Sequence, residues 1–361
     1  MVYPSGKRMA AQWETRMTNQ KNERALLLGI DFGTARTAVM SSRRHKGLMQ
    51  TVVGYPRDII GVKLLNRTLV VGDEAIDKRS FLDLFQPLED GVLKEASEKD
   101  LEAAREILQQ AIALCEPRTG ERICGIIGVP ARATAANRRQ LLQLTEGLLD
   151  LCLAVSEPFM VAYGLSRLVN TLIVDVGAGT IDLCAMKGSV PAPDSQLSIL
   201  KGGHYIDRLL EAAIRDAYAG VQIDHYLARQ LKEQHAFVGA ASEAVIVTLR
   251  VNGKPMALDV TEAIRVACET IVPDIVEGIK TLLLSFAPEC QAEALTNIVL
   301  AGGGSRIRGL GAMLEHHLRD YGQVQVTMVA DPEYGGAYGA LKLAMELPPD
   351  YWSQVGDVIG D

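Results

Sequence analysis

The chain has 361 residues, a formal net charge of −7, 48% hydrophobic and 22% charged residues, and only two Trp, ten Tyr and six Phe. That length suggests about two domains, each large enough for its own core, and the composition excludes a disordered chain. The acidic balance argues against a dedicated nucleic-acid binder, which needs a basic field to meet phosphate. The cysteines fall at 115, 124, 152, 184, 268 and 290. No pair has the spacing of a metal or redox site, so reduced core thiols of a cytoplasmic protein are expected. No apolar run reaches the roughly 18 residues of a membrane span, and residues 1–24 lack the apolar h-region of a signal peptide. Direct membrane insertion is not expected.

In chain order, residues 1–24 read as a flexible extension without periodicity. Ordered structure is expected from a strand over 25–31, followed by a hairpin partner near 37–42. The stretch 51–95 mixes short apolar runs with Gly, Pro and charge, as in a small irregular subdomain. Ser97 is a candidate cap with Asp100 at the third helical position, and Leu101, Arg105, Leu108 and Ile112 keep helical spacing to 114. A buried-type strand over 124–129 stops at Pro130. A helix over 134–150, a short strand over 152–155 and a helix opened by Glu157-Pro158 follow, since Pro is favoured in a first turn. The pattern then restarts. Strands are predicted over 171–175, 181–187, 197–201, 244–250, 297–301 and 324–329, and helices over 205–219, 224–237, 261–286, 306–320 and 334–346. Strands alternating with helices make an α/β fold. Residues 347–361 read as an acidic, loosely attached tail.

A weak internal repeat organises this pattern. Residues 28–35 (LGIDFGTA) align with 173–179 (IVDVGAG), placing Asp31 and Asp175 in equivalent positions 144 residues apart. Each copy is an apolar strand ending in Asp, a small-residue turn and a second apolar strand; the second copy adds Thr180 and Asp182. Two such copies imply two like domains facing each other. Small residues let backbone N–H groups approach phosphate oxygens. Two opposed turns can hold one polyphosphate from both sides, and an Asp at each strand end supplies oxygen to Mg²⁺, usually through retained waters. Either turn alone reads equally as a tight hairpin; the pair, with Asp in the same place, points to a polyphosphate. A third element, the strand over 298–301 followed by Gly302-Gly303-Gly304-Ser305 and a helix, has the ligand-facing order of α/β folds. It matches neither a G-x-G-x-x-G nor a Walker A sequence.

With these elements in place, the chain resembles the actin-like ATPase superfamily, which includes actin, bacterial MreB, heat-shock chaperones and sugar kinases. Residues 29–37 are similar to the first phosphate motif and 172–182 to the second. Residues 155–165 (VSEPFMVAYGL) and 331–344 (DPEYGGAYGALKLA) are similar to the two connecting helices, and 298–309 (IVLAGGGSRIRG) to the adenosine motif. All five stand in the superfamily's order. Within it, VGDEA at 71–75 and PLEDGV at 87–92 are similar to MreB, while GVPARAT at 128–134 and SEPFMVAYG at 156–164 resemble the magnetosome-associated bacterial actins. The resemblance implies an actin-like, ribonuclease H-like fold: duplicated α/β domains around a nucleotide cleft, each with a smaller inserted subdomain. Domain I would comprise 25–165 plus 335–346, its small subdomain at about 55–95. Domain II would comprise 166–334, its small subdomain at about 203–255.

The resemblance also implies roles. Asp31 and Asp175 organise Mg²⁺ and its waters, and Gly33, Thr34 and Ala35, mirrored by Gly177, Ala178 and Gly179, donate to phosphate. Glu157 polarises the attacking water and Thr180 helps to place it. Gly302, Gly303 and Gly304, with Ile307, pack against adenine and ribose, and Lys232 and Glu233 form the opposite wall. Arg36 either reaches a phosphate or faces solvent. Plainer roles exist for several of these: strand-end turn carboxylates for the two Asp, a first-turn helix carboxylate favoured by the dipole for Glu157, a solvated lysine for Lys232. The implied cofactors are ATP and Mg²⁺, and the implied activity is hydrolysis of ATP to ADP and phosphate. The implied partner is the chain itself, in homopolymeric cytoplasmic filaments that position magnetosome organelles through adaptor proteins. The alternative is a non-polymerising actin-fold ATPase acting as a chaperone-like regulator. Two departures stand out. His204 follows Gly202-Gly203 where MreB and the chaperones carry an acidic residue, and 1–24 shows no MreB-type amphipathic membrane helix.

Overall fold

Strand β1 (Leu26–Phe32) turns through Gly33–Ala35 into β2 (Arg36–Ser41), and β3 (Lys46–Gln50) extends the hairpin. These belong to a computed structural model that describes residues 25–94, 97–348 and 351–352. The extension 1–24 and most of the tail 347–361 lie outside the described residues, but Trp352 of that tail is buried with Ile126, Met160 and Ala344, so there the tail is packed rather than loosely attached. A small unit follows: β4 (Val53–Pro56), α1 (Ile59–Leu65), β5 (Val70–Val71), α2 (Asp73–Asp77) and β6 (Leu82–Phe85), its sheet ordered β5-β4-β6. The short pair β7 (Leu88–Glu89) and β8 (Val92–Leu93) leads to α3 (Glu98–Ala113), β9 (Ile123–Val129), α4 (Ala135–Thr145), β10 (Leu151–Ser156) and α5 (Glu157–Leu165). Ser97 caps α3 as predicted, accepting from the Asp100 amide at 3.1 Å and donating to its carboxylate at 2.8 Å.

The second half repeats the plan. Strands β11 (Val169–Val176), β12 (Ile181–Lys187) and β13 (Gln196–Ile199) are followed by α6 (Gly203–Ala217), β14 (Val221–Gln222), α7 (His225–His235), β15 (Ile246–Val251) and β16 (Lys254–Asp259). Helices α8 (Thr261–Glu269), α9 (Val272–Leu283) and α10 (Pro288–Leu295) lead to β17 (Ile298–Ala301), α11 (Leu310–Leu318), β18 (Val326–Met328) and α12 (Gly335–Glu346). The two large sheets run β10-β9-β1-β2-β3 and β18-β17-β11-β12-β13. In each, three consecutive antiparallel strands carry two further strands parallel to the first. The sequence repeat is thus a repeat of topology, and the fold is the expected duplicated α/β one.

Several boundaries differ from the predicted ones, each for a local reason. The helix predicted over 134–150 ends at Thr145, because Gly147 adopts φ +74° in the turn that feeds β10. The helix predicted over 261–286 is two helices broken at Thr270-Ile271, ahead of Pro273, which has no amide hydrogen to continue the ladder. The helix predicted over 306–320 is a short 3-10 turn (Gly303–Arg306) and then α11, which starts after Gly309 at φ +84°. Strands β3 and β16 and helix α10 had no predicted counterpart.

Each half has its own apolar core, around Leu28, Ile107 and Ile127 in the first and Val174, Ile214 and Ile275 in the second. Five of the cysteines are buried in these interiors, with Cys290 half-buried, and all six are free thiols. No helix among the described residues is long and apolar enough to cross a membrane. The halves are joined by two crossing helices. Helix α5 leaves the first sheet and packs on β11 and β12, whereas α12 leaves the second sheet and packs on β1 and β9. Missing side chains set how closely they cross: a Cβ on Gly339 would stand 1.8 Å from the Met160 carbonyl oxygen, and one on Gly29 would stand 2.2 Å from that of Ala337. Both neighbours are backbone and have no room to give.

Gly339→Val should therefore destabilise the protein by at least the upper part of the about 1–3 kcal/mol range of overpacked cores. Gly303→Ala, whose added carbon has no heavy atom within 4 Å, should leave the thermal midpoint unchanged. Equal midpoints for the two variants would contradict this packing.

Candidate functional site

Parallel α/β sheets place ligands beyond the carboxyl ends of their strands, and here both central strands carry an aspartate one residue before their end. Asp31 pairs across to Ala38 in β2, and Asp175 to Asp182 in β12 and Ala301 in β17. The space between them is a cavity of about 550 Å³. Every residue nominated from the sequence lines it: Asp31, Gly33, Thr34, Ala35 and Arg36 from the first turn, Asp175, Gly177, Ala178, Gly179 and Thr180 from the second, Glu157 from α5, Lys232 and Glu233 from α7, and Gly302, Gly303, Gly304 and Ile307 beyond β17.

The cavity floor is backbone held open by glycines. A Cβ on Gly302, at φ +71°, would stand 2.3 Å from Asp175 Oδ1, and one on Gly336 would stand 2.3 Å from Asp31 Oδ2. Each aspartate is thus roofed by peptide rather than by a side chain. The two turns also touch: a Cβ on Gly179 would be 2.7 Å from Thr34 Oγ1, which itself accepts from the Gly91 amide at 2.9 Å. Gly128 makes room for Glu157, since a Cβ there would lie 3.0 Å from its Cγ.

Three acids meet in this pocket without a countercharge. Burial pushes Asp31 up to about 6 from its ordinary 3.8. Burial, then the neighbouring carboxylates, raise Glu157 and Asp175 well above the usual carboxylate range. A cation between them would reverse that penalty. Among the described residues no three His, Cys, Asp or Glu side chains converge to hold a metal ion directly. The donor set suits an ion that keeps its waters and is reached by one carboxylate from each side, which is how Mg²⁺ binds.

Three nominated side chains already have partners within the chain. Arg36 neither points at the phosphate turns nor faces solvent: its guanidinium donates to Glu333 at 2.6 Å and to Glu233 at 3.2 Å. Lys232 lines the cavity and is not a solvated lysine, because its ammonium meets Asp207 at 2.7 Å and donates to the Gly203 carbonyl at 2.9 Å. Burial nonetheless raises the Asp207 pKa against the pull of Lys232. Thr180 donates its hydroxyl hydrogen to Asp182 at 2.6 Å, leaving only lone pairs for a water. Asp182, itself raised by burial, also accepts from Ser198 and from the Ala131 amide at 2.9 Å, tying the first half's Pro130 turn to the second sheet.

Other lining residues were not nominated. Arg229, Arg306, Arg308 and Glu333 reach the cavity; Glu333 stands inside the DPEYGG motif, but nothing in its spacing marks it as a partner of Arg36. Burial would raise Glu233, but Arg229, Arg36 and Lys232 outweigh it and hold its carboxyl below the ordinary value. His204, the departure noted after Gly202-Gly203, lines the same cavity in the first turn of α6. Burial first, then Lys232, Arg229, Arg208 and His225, push it down to about 4, so it is neutral near pH 7.

The family model for MreB/Mbl protein matches residues 25–348. The chain belongs to the MreB/Mbl family. It is 53% identical to actin-like protein MamK of Paramagnetospirillum magneticum over 335 residues, covering 93% of this chain and 96% of that one. Among solved structures it is similar to a MamK double helical filament, at 52% identity and TM-score 0.89, covering 90% of this chain and 100% of that one. A non-polymerising MamK mutant bound to AMPPNP gives TM-score 0.70 at 51% identity, again over 90% of this chain and 100% of that one.

The Asp31 shift carries a sign. Its pKa is higher in the folded chain, so the folded state keeps a proton that the unfolded chain has lost, and this stabilisation is present below about pH 4 and lost as pH rises through about 6. Asp31→Asn removes that loss. The nucleotide-free variant should be more stable than the parent by on the order of 3 kcal/mol near pH 7.5, with the gap closing near pH 4. Thermal unfolding across that pH range checks it, and a variant no more stable than the parent near pH 7.5 would contradict the burial of an unpaired Asp31 charge.

Proposed function

We propose that this chain is an ATP-dependent polymerising bacterial actin whose cytoplasmic filament organises magnetosomes. The observation that carries the reading is the cavity itself: two equivalent small-residue turns, each preceded by a half-buried aspartate, close on one space together with Glu157. The MamK relatives, one solved as a double helical filament and one bound to AMPPNP, support it. In this reading the chain divides into domain I (25–165 plus 335–346) and domain II (166–334), with small subdomains near 55–95 and 203–255. Adaptor proteins join the filament to its cargo.

The residues then divide the work. Backbone amides of Gly33, Thr34 and Ala35 hold the polyphosphate from one side, and those of Ala178 and Gly179 from the other, the Gly177 amide being given to the Thr180 carbonyl at 2.9 Å. Amide donors need no excess of Lys or Arg, which agrees with the net charge of −7. Asp31 and Asp175 hold Mg²⁺ through its waters, and the ion when bound neutralises charge on the phosphates. Glu157, lining the cavity from α5, polarises the attacking water. Thr180 accepts from that water, its own hydrogen being given to Asp182. Gly302, Gly303 and Gly304 let the adenosine lie against backbone beside Ile307. Polymerisation follows from a head-to-tail contact between unlike faces, which does not close into a ring.

Sedimentation of the full chain with Mg-ATP and with Mg-ADP, with imaging of the pellet and assay of released phosphate, tests the whole reading. Filaments and phosphate release are expected with Mg-ATP; the absence of both would sink it. Asp175→Ala should lose nucleotide-dependent assembly, and normal assembly in that variant would remove the metal role. Glu157→Ala should still assemble but release phosphate roughly a hundredfold more slowly or worse, giving longer-lived filaments. Undiminished turnover would take Glu157 out of the mechanism.

A further inference from the structure

The mouth of the cavity carries a charge network that phosphate binding does not use. Arg36 opens β2 in the first half, yet both of its carboxylate partners belong to the second. Glu233 lies on α7, and Glu333 lies in the loop between β18 and α12. Both partners are themselves anchored: Glu233 accepts from Arg229 at 2.9 Å through its other oxygen, and Glu333 accepts from Arg306 at 3.2 Å. A second bridge lies beside the first. The Arg79 guanidinium, in the small unit of the first half, stands 5.2 Å from the centre of the Tyr226 ring on α7. Arg79, Tyr226 and Glu233 line an outer cavity of about 650 Å³ that shares Arg229 with the inner one. The two halves thus meet across the cavity mouth through side-chain tips.

The geometry points to Arg36 as a positioning residue that clasps the two halves over the bound nucleotide and sets how long the nucleotide stays. The inference rests on reading the cavity as a nucleotide site. A planar guanidinium can hold two carboxylates at once, each in line with a different N–H, whereas an ammonium has no such fork. The side chains of Arg36, Glu233 and Glu333 are 33%, 43% and 24% exposed, so water and salt reach the contact and its strength is modest. A closure that must open in every cycle needs that modest strength. Both Glu233 oxygens are occupied in this arrangement, so a sugar hydroxyl reaching Glu233 must share it with Arg36 or Arg229.

The test uses the full chain loaded with a fluorescent ADP analogue and chased with unlabelled nucleotide. Arg36→Ala should release the analogue about two- to tenfold faster than the parent at low ionic strength, the effect of losing two partly exposed ion pairs. Release from the parent should quicken as salt is raised, and release from Arg36→Ala should not. Arg36→Lys should fall between the two, and Glu333→Gln should move in the same direction as Arg36→Ala. Unchanged or slower release from Arg36→Ala, or an undiminished salt dependence, would overturn the clasp. If the parent fails to bind the analogue, the nucleotide reading falls, and small-angle scattering of the nucleotide-free proteins decides the clasp alone. A larger radius of gyration for Arg36→Ala than for the parent supports it, and equal radii overturn it.

Discussion

Asp31 and Asp175 repel each other, and the fold holds them together in spite of it. Each stands one residue before the end of the central strand of a five-stranded sheet, each is covered by a glycine peptide, and burial raises the pKa of both. Stability in the nucleotide-free chain is reduced near neutral pH to keep these groups in place. Such an arrangement is compensated when a cation and a polyanion enter together, which is why buried like charges in a cleft are a functional signature.

The joint between the halves explains how the repulsion is contained. Helices α5 and α12 cross at Gly164 and Gly339 with backbone against backbone, so the bottom of the cleft is rigid close packing. At the mouth, the halves meet through Arg36 and Arg79, whose long side chains break and re-form contacts at little cost. The base is thus backbone against backbone, and the mouth is bridged by side-chain tips. Asp182 belongs to the close-packed part: it accepts from the Ala131 amide across the joint and from the Thr180 hydroxyl beside the second small-residue turn.

Much of the fold was legible along the chain because its signals are local. The Asp-then-small-residue turns, the cap at Ser97 and the Pro after Glu157 each act within a few residues. Where prediction erred, the deciding signal was also local but overlooked. Asn252-Gly253, both at positive φ, form the tight turn between β15 and β16, a strong hairpin signal between alternating residues. Pro273 marked the break between α8 and α9. Strand β3 gave less warning, since Lys46–Gln50 is short and its partner β2 supplies the apolar context.

The sequence by itself determined the two small-residue turns and the aspartates that face the cavity. A duplicated strand-turn pattern dictates a duplicated topology, and the carboxyl ends of like strands then face one space. Only the tertiary structure decided what the charged side chains do there. Arg36 and Lys232 line the cavity, but their partners, Glu333 and Asp207, depend on how separate elements pack. Glu333 lies 297 residues from Arg36 along the chain. A backbone turn is specified by its own residues, whereas the partner of a long polar side chain is whichever opposite charge the fold brings within reach.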